Sequence, residues 1–230
     1  MKFISENLST VNIEGNLDEN YPSTLTVFRS APVNFTNSGT HFGFVFKGTC
    51  TIAFNDCRYP VSAGMYFSIP GEFEMYGEGL GFIVTRHDVT GLFYLGGKVE
   101  QTGRLKYIDG CSDTLLIPPV VIGYPCMNFL HIPPFVDQTA HTHPSVRVGV
   151  VIDGEGLCRA MGNEYPLIPG NLFMLPTDGI HSFHTTGSSL RIIVYHPDSD
   201  FGPSDTEHPM INKTFVDGVS ASQIAEIMTK

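Results

Sequence analysis

The chain repeats itself, and an internal repeat limits the available folds more sharply than any local propensity. Gly48 and Gly154 anchor two copies that lie 106 residues apart. At that offset Phe42–Lys47 falls on Val148–Asp153, with Gly43 and Val45 on Gly149 and Val151. Tyr59-Pro60 falls on Tyr165-Pro166, Gly64 on Gly170, Phe67 on Phe173 and Pro70 on Pro176. The register then slips by four residues, as though His184–Gly187 had no counterpart. Beyond the slip Leu80, Ile83, Val84 and Asp88 fall on Leu190, Ile193, Val194 and Asp198. Turn and strand residues keep one offset together, so the chain reads as two copies of one β-domain, near residues 20–110 and 111–215. The expected division is 1–110 and 111–230.

Each copy reads as short strands divided by Gly and Pro. Phe42–Phe46, Thr49–Phe54 and Gly81–Thr85 are expected strands of the first copy. Val148–Ile152, Gly156–Met161, Asn171–Leu175 and Leu190–Tyr195 are those of the second. Such spacing points to all-β sandwiches or barrels. Helical periodicity is confined to Ser220–Met228, where Ser220 or Ser222 can cap and Ile224, Ile227 and Met228 form an apolar stripe. A short C-terminal helix is therefore expected, as packing material.

Composition removes several classes of function. With 42% hydrophobic and 16% charged residues the chain can build a core. Seventeen Phe and nine Tyr suit strands. The net charge is −10, and 13 Lys and Arg are spread along the chain, so no basic face is offered to nucleic acid. Apolar runs such as Ile192–Tyr195 are strand-sized and do not make a membrane-spanning helix. Met1–Asn12 has no apolar signal-peptide core. Five cysteines, Cys50, Cys57, Cys111, Cys126 and Cys158, are odd in number and lack C-x-x-C spacing. They read as reduced thiols of a cytoplasmic protein, with Cys50 and Cys158 as small core residues.

The strongest chemical signal is His141-Thr142-His143. Residues two apart on a strand share a face, so the two imidazoles can chelate one metal. A third ligand is His181, which follows the turn Pro176-Thr177-Asp178-Gly179-Ile180. This arrangement resembles the cupin superfamily, on His141, His143 and Gly154 for its first motif and Gly170, Pro176, Gly179 and His181 for its second. The resemblance covers the second copy well and the first as a degenerate relative. It implies two jelly-roll barrels in tandem, with a divalent metal held in the second. Fe(II) is favoured there; Zn, Mn, Ni or Cu are alternatives.

The chain departs from the pattern at three places. Phe135 stands where a Gly precedes H-x-H, and Gly179 lies one residue late. More consequential, the position of the family's Glu ligand, counted back from Gly154, holds Arg147. A guanidinium cannot ligate a cation. The site is then three histidines without a carboxylate, a pattern similar to that of some cupin dioxygenases acting on thiols and diketones. Arg147 shares strand parity with His141 and His143. It can point inward and clamp a substrate carboxylate, or serve structurally, paired with Asp or Glu.

Other histidines fit less well. His184 has the wrong strand parity for a fourth ligand and is expected at the rim. His131 is expected to hydrogen-bond structurally. In the first copy the counterparts of His141, His143 and His181 are Phe35, Asn37 and Met75, with His41 at the position of Arg147. The acidic segment from Tyr195 to Pro203, continuing through Asp205, Glu207 and His208, reads as a surface loop. A lid or a cation site on Asp198, Asp200 and Asp205 is the alternative. No general base stands out among Glu155, Glu164, Tyr165 and Tyr195.

Together these readings give a metal-dependent bicupin, dioxygenase-like, acting on a small carboxylate-bearing molecule at a three-His site. A non-enzymatic ligand-binding cupin, or a metal-dependent lyase, isomerase or cyclase, is the alternative. Nucleic-acid and membrane partners are not expected. Edge strands make a homodimer plausible.

Overall fold

A computed structural model describes residues 3–30, 32–36 and 38–229. Its first strands are β1 (Ile4–Asn7), β2 (Ser23–Arg29), β3 (Val33–Phe35), β4 (Thr40–Phe54), β5 (Cys57–Ser62), β6 (Tyr66–Pro70), β7 (Phe73–Arg86) and β8 (Tyr94–Gly96). There follow β9 (Leu105–Lys106), β10 (Ser112–Ile117), β11 (Cys126–Ile132), β12 (Arg147–Gly154), β13 (Gly156–Ala160) and β14 (Asn163–Leu167). The last are β15 (Asn171–Leu175), β16 (His181–His184), β17 (Leu190–His196), β18 (Phe215–Val216) and β19 (Val219–Ser220). The fold is all-β, as the turn-punctuated sequence predicts.

Two large antiparallel sheets divide the chain. One runs β2-β7-β4-β6-β8, with β3 on β7 and β5 on β4. The other runs β1-β15-β12-β17-β11-β10-β9, beside a small sheet β14-β13-β16. The long β4 does in one piece what β12 and β13 do in two, and β7 likewise corresponds to β16 and β17. Even the irregularity recurs: β4 bulges between Val45 and Lys47, and β12 between Val151 and Asp153. Gly48 and Gly154 follow those bulges, both at φ +76. A Cβ on either would lie 2.0 Å or less from a carbonyl oxygen of the neighbouring strand, which explains why both copies keep glycine there.

Strand pairing corrects the register read from the sequence. His181 lies opposite Ala160, and Phe183 opposite Cys158. In the first sheet Met75 lies opposite Ile52, the counterpart of Cys158. Met75 therefore corresponds to Phe183, and the counterpart of His181 is Phe73. Further on, Ile193 pairs with Val150 while Phe82 pairs with Phe44, so the slip totals five residues rather than four. It accrues in two turns, 176–180 and 185–189, where no strand periodicity exists to fix the count.

The core has three parts. One fills the first sheet's interior around Phe28, Val45, Ile52, Phe67, Ile69 and Ile83. A second fills the interior of the other half around Ile132, Val151, Cys158, Phe173, Leu190 and Ile192. The third lies between the halves, where Phe42, Phe44, Phe82 and Val84 meet Val148, Val150, Ile193 and Tyr195. Strands β12 and β17 are thus covered on both faces, which is why Ile192–Tyr195 is apolar throughout.

The N-terminal segment crosses the seam. β1 pairs with β15, from Ile4 on Met174 to Asn7 on Asn171. Buried Asp18 accepts from the Val146 amide at 2.9 Å and from the Thr177 hydroxyl at 3.1 Å. A division of the chain at residue 110 therefore leaves two strands of the second sheet, β1 and β9, and this buried carboxylate in the first segment.

The tail departs from expectation. Ser220–Met228 forms two 3-10 turns, Ala221–Gln223 and Ala225–Ile227, broken where Ile224 is extended. Nine residues cannot sustain a helix unaided, and Ile227 is 54% exposed, so no burial offsets the cost of nucleation. A single α-helical turn, α1 (Pro209–Asn212), precedes them. No described helix is long and apolar enough to cross a membrane. The five cysteines are unpaired, Cys50 and Cys158 are buried, and Cys57 is exposed.

In both halves a phenylalanine ring lies flat over a glycine. A Cβ on Gly43 would meet Phe67 at 2.1 Å, and one on Gly149 would meet Phe173 at 2.3 Å. Gly149→Ala is therefore expected to destabilise the chain by about 1–3 kcal/mol through overpacking. Adding Phe173→Leu should restore part of that loss, as chemical denaturation of the single and double variants would show.

Candidate metal centre

The interior of the second half opens into a cavity of about 110 Å³. Strand parity decides what faces it. Phe173 and Leu175 point in from β15, Arg147 from β12, Val194 and His196 from β17, Asn128 and Leu130 from β11, and Asp113 from β10. The alternate residues Leu172, Met174, Val148, Val150, Ile193, Tyr195, Met127 and Phe129 enter the seam between the halves instead.

His141, His143 and His181 meet at one end of this cavity. Each offers a ring nitrogen, and the three nitrogens lie within 4.8 Å of one another. Ring centroids are 4.5 Å apart for His141 and His181, and 5.1 Å for each pair with His143. The H-x-H pair does not sit on a regular strand. Only His141 pairs, through a single bridge to His181, and residues 142–146 run on irregularly.

Backbone carbonyls set two of the tautomers. His141 Nδ1–H donates to the Thr139 carbonyl at 2.9 Å, and His181 Nδ1–H to the Gly179 carbonyl at 2.9 Å. Each ring then keeps its lone pair on Nε2, the atom a metal needs. His181 Nε2 is buried and has no hydrogen-bond partner. Burial, and next the Arg147 charge, hold His143 down to about 3, while burial holds His181 down to about 4. His143 and His181 are therefore neutral at pH 7, as ligands must be. Among the described residues this is the only His, Cys, Asp and Glu group with ligand spacing. It contains no carboxylate, and its donors suit Zn, Fe, Cu or Ni rather than Mg or Ca.

Arg147 points into the cavity from the first position of β12, although the irregular run 142–146 breaks the strand parity expected to link it to the histidines, and it is also paired. Its Nη1 reaches Asp198 Oδ1 at 3.5 Å, the Val146 carbonyl at 3.2 Å, and Ser145 through both carbonyl and hydroxyl. Ser145 Oγ in turn donates to Asp198. Asp198 is thereby turned toward Arg147, so the cation site considered on Asp198, Asp200 and Asp205 does not form among the described residues. Arg147 Nε is buried without a partner.

The remaining histidines sort by face. His184 lies off the cavity, bonded to Asp137 at 2.5 Å and to the Ser182 hydroxyl at 2.7 Å. His131 approaches Ser112 Oγ at 3.4 Å and does not line the cavity. Tyr195 OH lies 3.3 Å from Ser23 Oγ across the seam. Tyr165 packs on Phe3. Neither faces the cavity.

Sequence reasoning missed several polar lining residues. His196 ends β17 instead of opening a loop, and its pKa is pushed well below the usual value by burial, Arg147 and His143. Tyr107 sets its ring edge against His141, centroids 6.5 Å apart. Asp113 and Asn128 form a pair on the neighbouring strands β10 and β11, Asn128 Nδ2 donating to Asp113 Oδ2 at 2.8 Å. Burial pushes the Asp113 carboxyl up, opposed by that hydrogen bond. For Asp113, Asn128 and His196 the signal is a polar residue in an apolar strand, which points inward only once the pairing is known.

The equivalent positions of the first half hold no ligand set. Phe35 and Phe73, at the places of His141 and His181, stack with centroids 4.7 Å apart. His41, at the place of Arg147, is buried beside both rings and bonds Thr85 Oγ1 at 2.8 Å. Asn37, the counterpart of His143, lies outside the described residues.

Comparison with known proteins bears on the fold. Residues 136–202 match the family of AraC-like ligand binding domains. Comparison with curated protein sequences gives no match. A cupin 2 conserved barrel domain protein from Leptotrichia buccalis superposes with a TM-score of 0.60 at 14% identity, covering 84% of this chain and 88% of that one. The protein Ylba from E. coli gives 0.58 at 14% identity, covering 86% and 92%. A salicylate 1,2-dioxygenase from Pseudaminobacter salicylatoxidans gives 0.57 at 12% identity, covering 76% and 70%. The chain therefore has the all-β barrel fold of the cupins.

Proposed function

We propose that the chain is a metal-dependent bicupin enzyme acting on a small anionic molecule, with 1–110 as a degenerate cupin and 111–230 as the metal-holding one. The observation that carries this reading is the convergence of three imidazoles within 4.8 Å, two of them fixed as Nε2 donors by backbone carbonyls. An all-histidine set leaves a divalent metal its full charge and open positions for other ligands. Fe(II) is favoured, and the metal when bound would supply Lewis-acid or oxygen chemistry. The stacked Phe35 and Phe73 support a structural role for the first half.

Arg147 is placed to hold the substrate. Its Nη1 is committed to Ser145 and Asp198, whereas Nε is free and Nη2 makes no hydrogen bond with the described residues. That Nε–Nη2 edge matches a carboxylate in bidentate fashion. His196 and Leu175 flank the same part of the wall and limit water around it. Oxygen insertion is the preferred chemistry because salicylate dioxygenase, whose structures include gentisate adducts, shares the fold. That support is analogy of fold alone. The match to AraC-like ligand binding domains favours a second reading, in which the site binds a small molecule without turnover.

Two measurements test the reading. His143→Ala should lower metal affinity roughly 100-fold or more with an unchanged circular-dichroism spectrum, while His184→Ala keeps its metal. Equal metal content in all three proteins would overturn the site. Oxygen uptake by the iron-loaded protein should then appear on some member of a panel of carboxylic acids, thiols and diketones. On that compound Arg147→Lys, which keeps the charge beside Asp198 and loses the forked edge, should raise KM about tenfold to a hundredfold. Stoichiometric iron with no turnover would favour the binding-only reading.

A further inference from the structure

The cavity wall carries an unsatisfied acceptor as well as an unsatisfied donor. Asn128 Nδ2 is used on Asp113, and that bond fixes which way the amide faces. Its Oδ1 is then left buried with no hydrogen-bond partner. A buried acceptor without a partner costs about 1–3 kcal/mol, a cost that a bound donor removes. Arg147 Nε is the matching orphan donor. Both residues line the same cavity. They stand on β11 and β12, with β17 between them, so their backbones are two strand spacings, about 10 Å, apart.

We infer that Asn128, held by Asp113, is a specificity-determining residue that accepts a hydrogen bond from a hydroxyl or amino group of a small carboxylate anchored on Arg147. The inference rests on the anion-binding reading of Arg147 and adds what the other end of the molecule must carry. The cavity of about 110 Å³ equals only a few water molecules at roughly 30 Å³ each, so the ligand is compact. Between the polar ends the wall is Leu130, Val194, Phe173 and Phe183, which suits a short carbon body. A molecule with a carboxylate and no donor would leave Asn128 Oδ1 unpaired, and such sites reject the lacking analogue strongly.

The experiment uses the metal-loaded full chain and matched pairs of three- to five-carbon monocarboxylates, with and without a hydroxyl or amino group at carbon 2 or 3. Calorimetry on the wild type should show the donor-bearing member of at least one pair binding about tenfold tighter or more. Asn128→Leu should abolish that preference, bringing the two members of the pair within about twofold of one another. Asn128→Ala serves as a second truncation, and melting curves of both variants establish that they fold. A preference that survives in a folded Asn128 variant overturns the inference, and so does a wild type without any preference. Metal content and Arg147→Lys are measured in parallel. A protein that binds no metal, or whose acid binding ignores Arg147→Lys, overturns the underlying reading instead.

Discussion

Burial of β12 and β17 on both faces governs the molecule. Their odd or even neighbours enter the seam between the halves, and the alternate set enters the barrel interior. A one-residue slip would exchange the two sets, driving Arg147 and His196 into a dry apolar seam and Val148 and Tyr195 into the cavity. The seam therefore fixes the register, and the register fixes which side chains reach the cavity.

The same framework accounts for the difference between the halves. Both halves have the bulge, the glycine after it, and the ring lying over a glycine. Only the contents differ. Where the second half keeps three imidazoles, with His181 Nε2 buried and unpaired, the first places two stacked phenylalanines around a buried histidine. Aromatic rings fill such an interior and gain from their mutual packing, whereas empty ligand sites expose polar atoms to low dielectric.

How far the sequence could be read follows from these forces. The offset of 106 held wherever strands and tight turns both constrain the chain, and it placed Arg147 and His41 on matching sites. It failed across 176–180 and 185–189, where turns absorb insertions at little cost, and so the counterpart of His181 was misassigned. The His triad was legible because three ligands of one type at such spacing are rare. Asp113 and Asn128 were not, since a single polar residue in a strand carries no mark of which face it takes until pairing is known. The tail misled because periodicity alone does not supply a surface to pack against.

The pairing of β1 with β15 has a consequence for synthesis. Ile4–Asn7 is made about 160 residues before its partner Asn171–Met174. At typical rates of roughly 5–20 residues per second, the first strand waits about ten to thirty seconds on the ribosome without its partner. Throughout that wait Leu8 and Val11, both buried in the finished seam, have no second half to cover them. The N-terminal sheet can form early, but the strap that ties the halves is among the last contacts to close, and a growing chain must shield it until then.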